Sequence, residues 1–212
     1  MNDSQGEDPR RGVSRRGFLT GTGAAAAVAG LTAELVPPAT AQPPSTAAPA
    51  MGPGPVALEL TVNGKKVTTS VEPRVTLLDA LRNYLDVTGC KRVCDRGTCG
   101  ACTVLLDGKP VYSCSMLALE AQGKKIKTAE ALLDGGKLDA VPAAFVSHDA
   151  QQCGFCTPGF VVALRAALDK NPNATPSEVE EALSGNICRC GTYEQMRHAV
   201  AALCGQAEKK GE

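Results

Sequence analysis

The chain has 212 residues, enough for one or two domains, and its 22 basic residues are matched by 22 acidic ones. This balance gives no reason to expect nucleic acid or an anionic membrane surface as a partner, and 3% aromatic residues without tryptophan argue against base-stacking platforms. Only two histidines, His148 and His198, are present, so a histidine-based catalytic centre is not expected. Ten cysteines, by contrast, must be held by disulfides, a metal or clusters.

The first 41 residues have the features of an export signal. The segment Ser14–Thr20 reads S-R-R-G-F-L-T, a twin-arginine motif, and the apolar run from Gly21 to Val36 is too weak for a membrane span. Ala39 and Ala41 then form an A-x-A cleavage site, which predicts a Tat-type signal over residues 1–41 and a periplasmic mature protein without a membrane span. The alternatives are a disordered basic tail or a single anchor helix. Residues 42–55, rich in Pro and Ala, predict an extended linker.

Residues 56–129 have the pattern of a small sheet domain. Alternating apolar residues and two-residue turn signals predict two hairpins, with a short amphipathic helix between them. The predicted elements are a strand over Val56–Val62, a turn at Asn63-Gly64, a strand from Lys66 to Val71, a helix from Leu77 to Leu85 capped by Thr76, and a hairpin from Thr103 to Tyr112 around Asp107-Gly108. With the cysteine loop between helix and second hairpin, this order resembles the β-grasp fold of plant-type ferredoxins.

Four cysteines in this half form the first set: Cys94, Cys99, Cys102 and Cys114. Their C-x4-C-x2-C spacing with a nearby fourth cysteine is the plant-type pattern for a [2Fe–2S] cluster. A zinc site is the alternative, but zinc ligands usually come as pairs separated by longer gaps. Gly97 and Gly100 lie in the loop, where positive φ angles would let backbone N–H groups point at the cluster sulfurs.

Residues 130–205 predict a four-helix domain, followed by a polar tail over residues 206–212. The helices are expected from Leu138 to His148, from Thr157 to Lys170, over Val179 to Leu183 behind a capping box at Thr175, and from Tyr193 to Leu203. The second cysteine set lies in the loops between them: Cys153, Cys156, Cys188 and Cys190. Taken alone, its C-x2-C pair could be a redox dithiol or half of a zinc site.

Three motifs in this order and at this distance carry a family resemblance. They are Cys94–Val104, reading C-D-R-G-T-C-G-A-C-T-V; Gln152–Gly159, reading Q-C-G-F-C-T-P-G; and Gly185–Gly191, reading G-N-I-C-R-C-G. The chain resembles the small iron–sulfur subunit of the xanthine oxidase family of molybdenum hydroxylases, and within it the exported aldehyde oxidoreductase type. The resemblance extends over roughly Val56 to Leu203.

The resemblance implies an α+β fold, a β-grasp domain followed by a helical bundle, with one [2Fe–2S] cluster in each. It implies a molybdenum–pterin cofactor on a separate large subunit that oxidises aldehydes or related substrates. The second cluster would lie nearer to that cofactor, with Gln152 and Cys190 facing the pterin. Electrons would leave through the first cluster to a FAD subunit or a cytochrome. This chain would carry no catalytic residue of its own.

The chain departs from the family pattern at three loop positions. Val93 stands where the family usually has Gly, Cys90 where it often has Thr, and Thr98 where it often has Gln. Cys90 is the rival for a ligand position, but it would break the plant-type spacing. We therefore expect Cys90 and Cys204 to be small non-ligand residues packed as hydrophobes.

Two other functions compete with an electron-transfer subunit. A stand-alone periplasmic electron carrier would need one exposed cluster, so the second domain argues against it. An exported structural protein stapled by disulfides is the other candidate, but the first loop places its cysteines too close in sequence for comfortable bridges.

Overall fold

The computed structural model describes residues 14–20 and 51–208, and the chain divides into two compact units, residues 1–49 and 50–212. In the first unit, residues 15–20 are helical, and the Ser14 hydroxyl accepts a hydrogen bond from the Gly17 backbone at 3.1 Å. The predicted apolar run, the cleavage site and most of the predicted linker lie outside the described residues. Within the described ranges, no helix is both long and apolar enough to cross a membrane.

Five strands of the second unit form one mixed sheet in the spatial order β2-β1-β5-β3-β4. The strands are β1 Val56–Val62, β2 Lys65–Val71, β3 Thr103–Leu106, β4 Lys109–Tyr112 and β5 Lys125–Lys127. Both predicted hairpins are confirmed. Asn63 and Gly64 have φ of 51° and 79°, and Asp107 and Gly108 have 49° and 81°, the two positive φ angles that a tight hairpin turn requires.

The central strand β5 was not predicted from the sequence. It lies parallel to β1 and antiparallel to β3, with Ile126 buried between flanking lysines. A three-residue strand is too short to show an alternating pattern, so only its pairing with distant strands makes it a strand.

The helix after β2 is confirmed in place but differs in form. Thr76 caps it by accepting a hydrogen bond from the Asp79 backbone at 3.1 Å. Helix α1 then covers only Leu77–Asp79, and Ala80–Tyr84 continues it as a wider π-helix. Asp86, with φ of 54°, turns the chain out of the helix, so the helix ends before the predicted Leu85.

The four predicted helices of the second half are present. They are α2 Ala140–Ser147, α3 Thr157–Lys170, α4 Pro176–Ala182 and α5 Tyr193–Glu208. Helix α2 begins two residues later than predicted because Asp139 caps it, while Leu138 belongs to a short hairpin of β6 Leu133–Asp134 and β7 Lys137–Leu138. At α4, the capping box of Thr175 and Glu178 is formed as predicted.

Strand β3 joins the two halves of this unit, because all four of its residues are buried. Val104 and Leu106 belong to the core of the sheet half. Leu105 points the other way and packs against Val162 and Ala166 of α3. The helical half therefore covers the second face of the sheet and brings the loops that carry the two cysteine sets together. The predicted α+β fold is confirmed.

Candidate metal centres

All ten cysteines are free thiols in the structure. This disagrees with the alternative of a disulfide-stapled structural protein, which would need bridged pairs. The eight cysteines of the two sets instead lie in two groups, one in the sheet half and one in the helical half.

The first set forms two sulfur pairs around the loop before β3. The Cys99 thiol acts to lower the pKa of Cys94, and the Cys114 thiol acts to raise the pKa of Cys102, so the two members of each pair lie close together. Cys114 reaches the loop from a 3₁₀ turn that directly follows β4. Three members are buried, and only Cys94 is partly exposed.

Backbone N–H groups of the first loop point at its sulfurs. Gly97 N lies 3.2 Å from Cys114 Sγ, and Thr98 N lies 3.4 Å from Cys94 Sγ. Gly97 and Gly100 have the expected positive φ angles of 70° and 68°. Hydrogen bonding from Thr98 lowers the pKa of Cys94 to about 5, so this thiol is readily ionised, as iron ligation requires.

The second set also forms two sulfur pairs, Cys153 with Cys190 and Cys156 with Cys188. Cys156 directly precedes α3, and the loop with Cys188 and Cys190 leads into α5. The second set thus lies at the N-terminal ends of two helices, where the helix dipole favours negative charge.

The pKa values of Cys156 and Cys188, the two less exposed cysteines of this set, are shifted in opposite directions. Burial, together with Cys188, raises the pKa of Cys156 to about 12. At Cys188 burial also opposes ionisation, but hydrogen bonds from the Thr192 hydroxyl and backbone outweigh it and lower the pKa to about 7. Cys188 is therefore the inner sulfur that ionises more readily.

The second set has an exposed side and a buried side. Cys153 and Cys190 are exposed, whereas Cys188 is buried and Cys156 is half-buried. Gln152 is exposed beside Cys153. Two large apolar side chains, Phe155 and Ile187, are 49% and 51% exposed in the same loops. The outward pair and Gln152 thus share loops with apolar side chains that a partner protein could cover.

The two cysteine loops contact each other directly. Ile187 N donates to the Cys99 carbonyl at 3.0 Å, and the buried Asn186 side chain donates to the Gly100 carbonyl at 2.9 Å. The Tyr112 hydroxyl donates to the Gly185 carbonyl at 3.0 Å. Ile187 directly precedes Cys188, so its hydrogen bond links the loop of the second set to Cys99 of the first set.

The remaining cysteines and histidines lie in ordinary structural positions. Cys90 is 1% exposed in the core of the sheet half, and burial, followed by Glu130, raises its pKa to about 11. Cys204 is buried in the helical core. His148 is half-buried, and His198 is exposed beside Glu194 at 3.6 Å.

The sulfur pairs fit a two-iron cluster, in which two protein ligands hold each iron. Among residues 14–20 and 51–208, no three Cys, His, Asp or Glu side chains converge as they would on a single metal ion. The spacing of the first set is what favours a [2Fe–2S] cluster over zinc, whose ligands usually come as pairs separated by longer gaps.

The structure adds residues that the sequence analysis did not select. Thr192 and Tyr193 contact Cys188, and Tyr112 and Asn186 join the two loops. Asn186 lies within a motif that carried the resemblance, and Thr192 stands where a helix cap is common. Their contacts could not be inferred from these signals.

Comparison with known proteins matches both halves of the chain. Residues 60–133 match the 2Fe-2S iron-sulfur cluster binding domain, and residues 128–201 match the [2Fe-2S] binding domain. The chain is 46% identical to the nicotine 6-hydroxylase small subunit of Paenarthrobacter nicotinovorans over 73% of this chain and 93% of that one. It is 37% identical to an aldehyde oxidoreductase iron-sulfur-binding subunit of Escherichia coli over 92% of this chain and 89% of that one.

A solved structure agrees with these relatives. Quinoline 2-oxidoreductase from Pseudomonas putida 86 contains a chain that superposes with a TM-score of 0.69 and is 44% identical. The match covers 74% of this chain and 98% of that chain.

Proposed function

The chain belongs to the small iron–sulfur subunits of the molybdenum hydroxylases, and from this we propose a residue assignment for its electron-transfer role. The first [2Fe–2S] cluster is ligated by Cys94, Cys99, Cys102 and Cys114, and the second by Cys153, Cys156, Cys188 and Cys190. The four sulfur pairs support this assignment.

The contact between the two loops is the observation that carries the proposed route. Electrons enter at the exposed second set, pass to its buried side, and cross to the first set at the hydrogen bond from Ile187 N to the Cys99 carbonyl, 3.0 Å long. They leave at Cys94, the most exposed ligand of its set. The partner subunit's molybdenum–pterin cofactor supplies the oxidation of substrate, and this chain provides ligands, spacing and redox tuning.

Gln152 and Cys190 form the proposed contact with the pterin. Both are exposed, as a contact with a cofactor on another chain requires. The Gln152 amide can donate and accept hydrogen bonds at once, which suits the edge of a pterin ring. Replacing Gln152 by Ala should slow reduction of the second cluster by substrate in the purified complex while leaving iron content unchanged. Unchanged reduction kinetics would contradict this role.

Stepwise reduction tests the route. The fully reduced purified complex should show two distinct [2Fe–2S] EPR signals. When the complex is mixed anaerobically with limiting substrate and frozen rapidly, the signal of the second cluster should appear before that of the first. A single signal in the fully reduced complex would contradict the two ligand sets.

The stand-alone carrier makes a different prediction. A shuttle would be isolated without a molybdenum-binding subunit. The apolar side chains of Phe155 and Ile187, about half exposed beside the second set, favour a permanent partner. Purification under mild conditions should therefore recover the large subunit with this chain.

The aldehyde substrate and the export route are proposed together. The alignment with the E. coli aldehyde oxidoreductase subunit covers 92% of this chain, which is only possible if it includes residues before 51. The nicotine 6-hydroxylase subunit aligns over 93% of its own length but only 73% of this chain. The alignment with the aldehyde-type relative thus extends into residues before 51. The twin-arginine motif of this chain, around Arg15 and Arg16, lies in the same N-terminal part of the sequence.

Export is tested on the full chain expressed with its partners. The complex should be recovered in the periplasmic fraction, and the double substitution Arg15→Lys with Arg16→Lys should retain it in the cytoplasm. A wild-type chain that stays in the cytoplasm would contradict the proposal.

Substrate class is tested on the complex. An aldehyde should be oxidised faster than an N-heterocycle such as nicotinate at equal concentration, because the aldehyde oxidoreductase subunit aligns with 92% of this chain. Faster oxidation of the heterocycle would assign the complex to the other group of relatives.

The acceptor at the first cluster is a FAD-binding subunit or a cytochrome. Partial exposure of Cys94 and 56% exposure of its neighbour Val93 support electron exit at this loop. Flavin in the purified complex would identify a FAD-binding subunit as the acceptor. A flavin-free complex that reduces a cytochrome would identify the cytochrome as the acceptor. A complex that contains no flavin and reduces no cytochrome would contradict both.

A further inference from the structure

Thr192 contacts a ligand candidate of the second cluster through its side chain. It precedes α5, is 1% exposed, and its hydroxyl oxygen lies 3.1 Å from Cys188 Sγ. Cys188 itself is buried, and its backbone N–H donates to the Tyr193 hydroxyl at 2.8 Å. Thr192 and Tyr193 thus hold the ligand from both its sulfur and its backbone.

The direction of the Thr192 hydrogen bond follows from chemistry. A cysteine bound to iron is a thiolate without a proton, so the hydroxyl must be the donor. The contact is buried, and a hydrogen bond to a charged group is stronger in a low-dielectric environment than in water. The N-terminal end of the 16-residue helix α5 adds positive potential at the same sulfur.

Such a donor affects the two redox states unequally. Reduction adds one electron and therefore one negative charge to the cluster, so the sulfur becomes a better acceptor. Hydrogen bonds to sulfur are among the features that set the potential of iron–sulfur clusters. We propose that Thr192 raises the reduction potential of the second cluster by donating its hydroxyl hydrogen to Cys188 Sγ, an inference that rests on the ligand assignment proposed above.

The role fits the order of electron transfer. The second cluster takes one electron at a time from the molybdenum side and passes each to the first cluster. A donor that stabilises its reduced state favours that first step. Thr192 is therefore a positioning residue that acts through Cys188 and touches no substrate.

A helix cap is the structural alternative for Thr192, since threonine is common at the residue before a helix. Capping would contribute to stability and leave the potential unchanged. The two roles are separated by Thr192→Val, which keeps the shape and removes the hydroxyl, and Thr192→Ser, which keeps the hydroxyl.

The test is an EPR-monitored redox titration of the purified complex. In Thr192→Val, the ratio of oxidised to reduced second cluster at a fixed potential should rise about tenfold, which corresponds to a fall of about 59 mV for a one-electron couple. Thr192→Ser should titrate as the wild type does. The first cluster, in the same sample, should keep its potential in both variants.

Several results would overturn the proposal. One is a wild-type potential in Thr192→Val with both clusters present, and another is an equal shift in Thr192→Ser. If the valine variant does not assemble the second cluster, Thr192→Ala replaces it. Loss of the cluster from both, with retention in Thr192→Ser, would make the hydroxyl an assembly requirement and overturn its role in the potential. Failure of the ligand assignment would appear differently, as one missing cluster in the wild type.

Discussion

The two cysteine sets of this chain are built from different kinds of structure. The first lies in a loop whose backbone N–H groups, such as Gly97 N, point at the sulfurs. The second lies at the N-terminal ends of two helices, where the hydroxyl of Thr192 reaches Cys188 Sγ at 3.1 Å. Each set receives hydrogen bonds from both backbone and side chains, and the two sets differ in the elements that supply them: a loop and a 3₁₀ turn at the first, and the starts of two helices at the second.

Exposure differs between the sets as well. Only Cys94 of the first set is partly exposed, whereas Cys153 and Cys190 of the second are exposed. A chain that passes electrons between two partner proteins needs one accessible end at each. The second set therefore has a wide exposed face, and the first set a narrow one.

Removing a ligand should give the largest effect and test whether the two sets are independent. Cys99→Ala should remove the first cluster and Cys188→Ala the second, so iron falls from about four to about two atoms per chain in each. Iron analysis and EPR of the reduced complex measure this.

Cys90→Ala is the matched control for these variants, because Cys90 is buried in the same half of the chain but packs as a core residue. It should keep both EPR signals. Loss of the first cluster in this control would make Cys90 a ligand and contradict the plant-type assignment.

The contact between the sets can be disturbed by Gly159→Ala. A Cβ at this position would clash with the Gly100 carbonyl and lie 3.1 Å from the Ala101 Cα, both backbone atoms that cannot rotate away. Overpacking of this kind costs about 1–3 kcal/mol. Thermal unfolding should show a lower Tm, and the magnetic coupling between the two reduced clusters should weaken as the loops separate.

Gly205→Ala in α5 is the control for a glycine-to-alanine change, because a Cβ there meets no atom within 4 Å. Alanine should leave stability unchanged or raise it by about 0.5–1 kcal/mol, since glycine is unfavourable inside a helix. An equal loss of stability in both variants would show that close approach at Gly159 is not the cause.

Asn186→Ala should have a smaller but related effect. The Asn186 amide donates to the Gly100 carbonyl at 2.9 Å from a buried position, and the Thr103 backbone and hydroxyl donate to the same carbonyl. The substitution therefore removes one hydrogen bond without leaving the carbonyl unpaired, at a cost of about 0.5–1.5 kcal/mol. Because alanine removes atoms and adds none, the loops can stay in contact through Ile187. We expect a lower free energy of unfolding with less change in cluster coupling than in Gly159→Ala.

The smallest effect is expected at Ser115, which sharpens the contrast with Thr192. Its hydroxyl lies 3.6 Å from Cys114 Sγ and the residue is exposed, so solvent can replace the contact. In Ser115→Ala, the ratio of oxidised to reduced first cluster should change roughly threefold or less. A larger change than that of Thr192→Val would contradict the view that burial of the hydroxyl decides the size of its effect on the potential.

Much of the fold could be predicted because its signals are local. Asn63-Gly64 predicts a hairpin since both residues tolerate positive φ, and Thr175 with Glu178 predicts a helix start since the two side chains satisfy each other's backbone N–H groups. The grouping of cysteines into two sets was also predicted from spacing alone.

Other features depend on partners distant in the chain. Strand β5 exists because Lys125–Lys127 pairs with β1 and β3, and its own residues show no strand pattern. The roles of Tyr112 and Asn186 likewise follow from which loops meet.

Turn chemistry, helix caps and ligand spacing act over a few residues, so they were enough to predict both hairpins, the four later helices, the two cysteine sets and the family. The folded structure was needed to show that Ile187 N meets the Cys99 carbonyl, that Cys153 and Cys190 face outward, and that the Thr192 hydroxyl lies beside Cys188 Sγ. The contact between the two loops arises when the helical half covers the second face of β3, because residues far apart in the chain meet there. The position of Thr192 depends on how the loop before α5 folds, and no capping or spacing signal in the sequence encodes that.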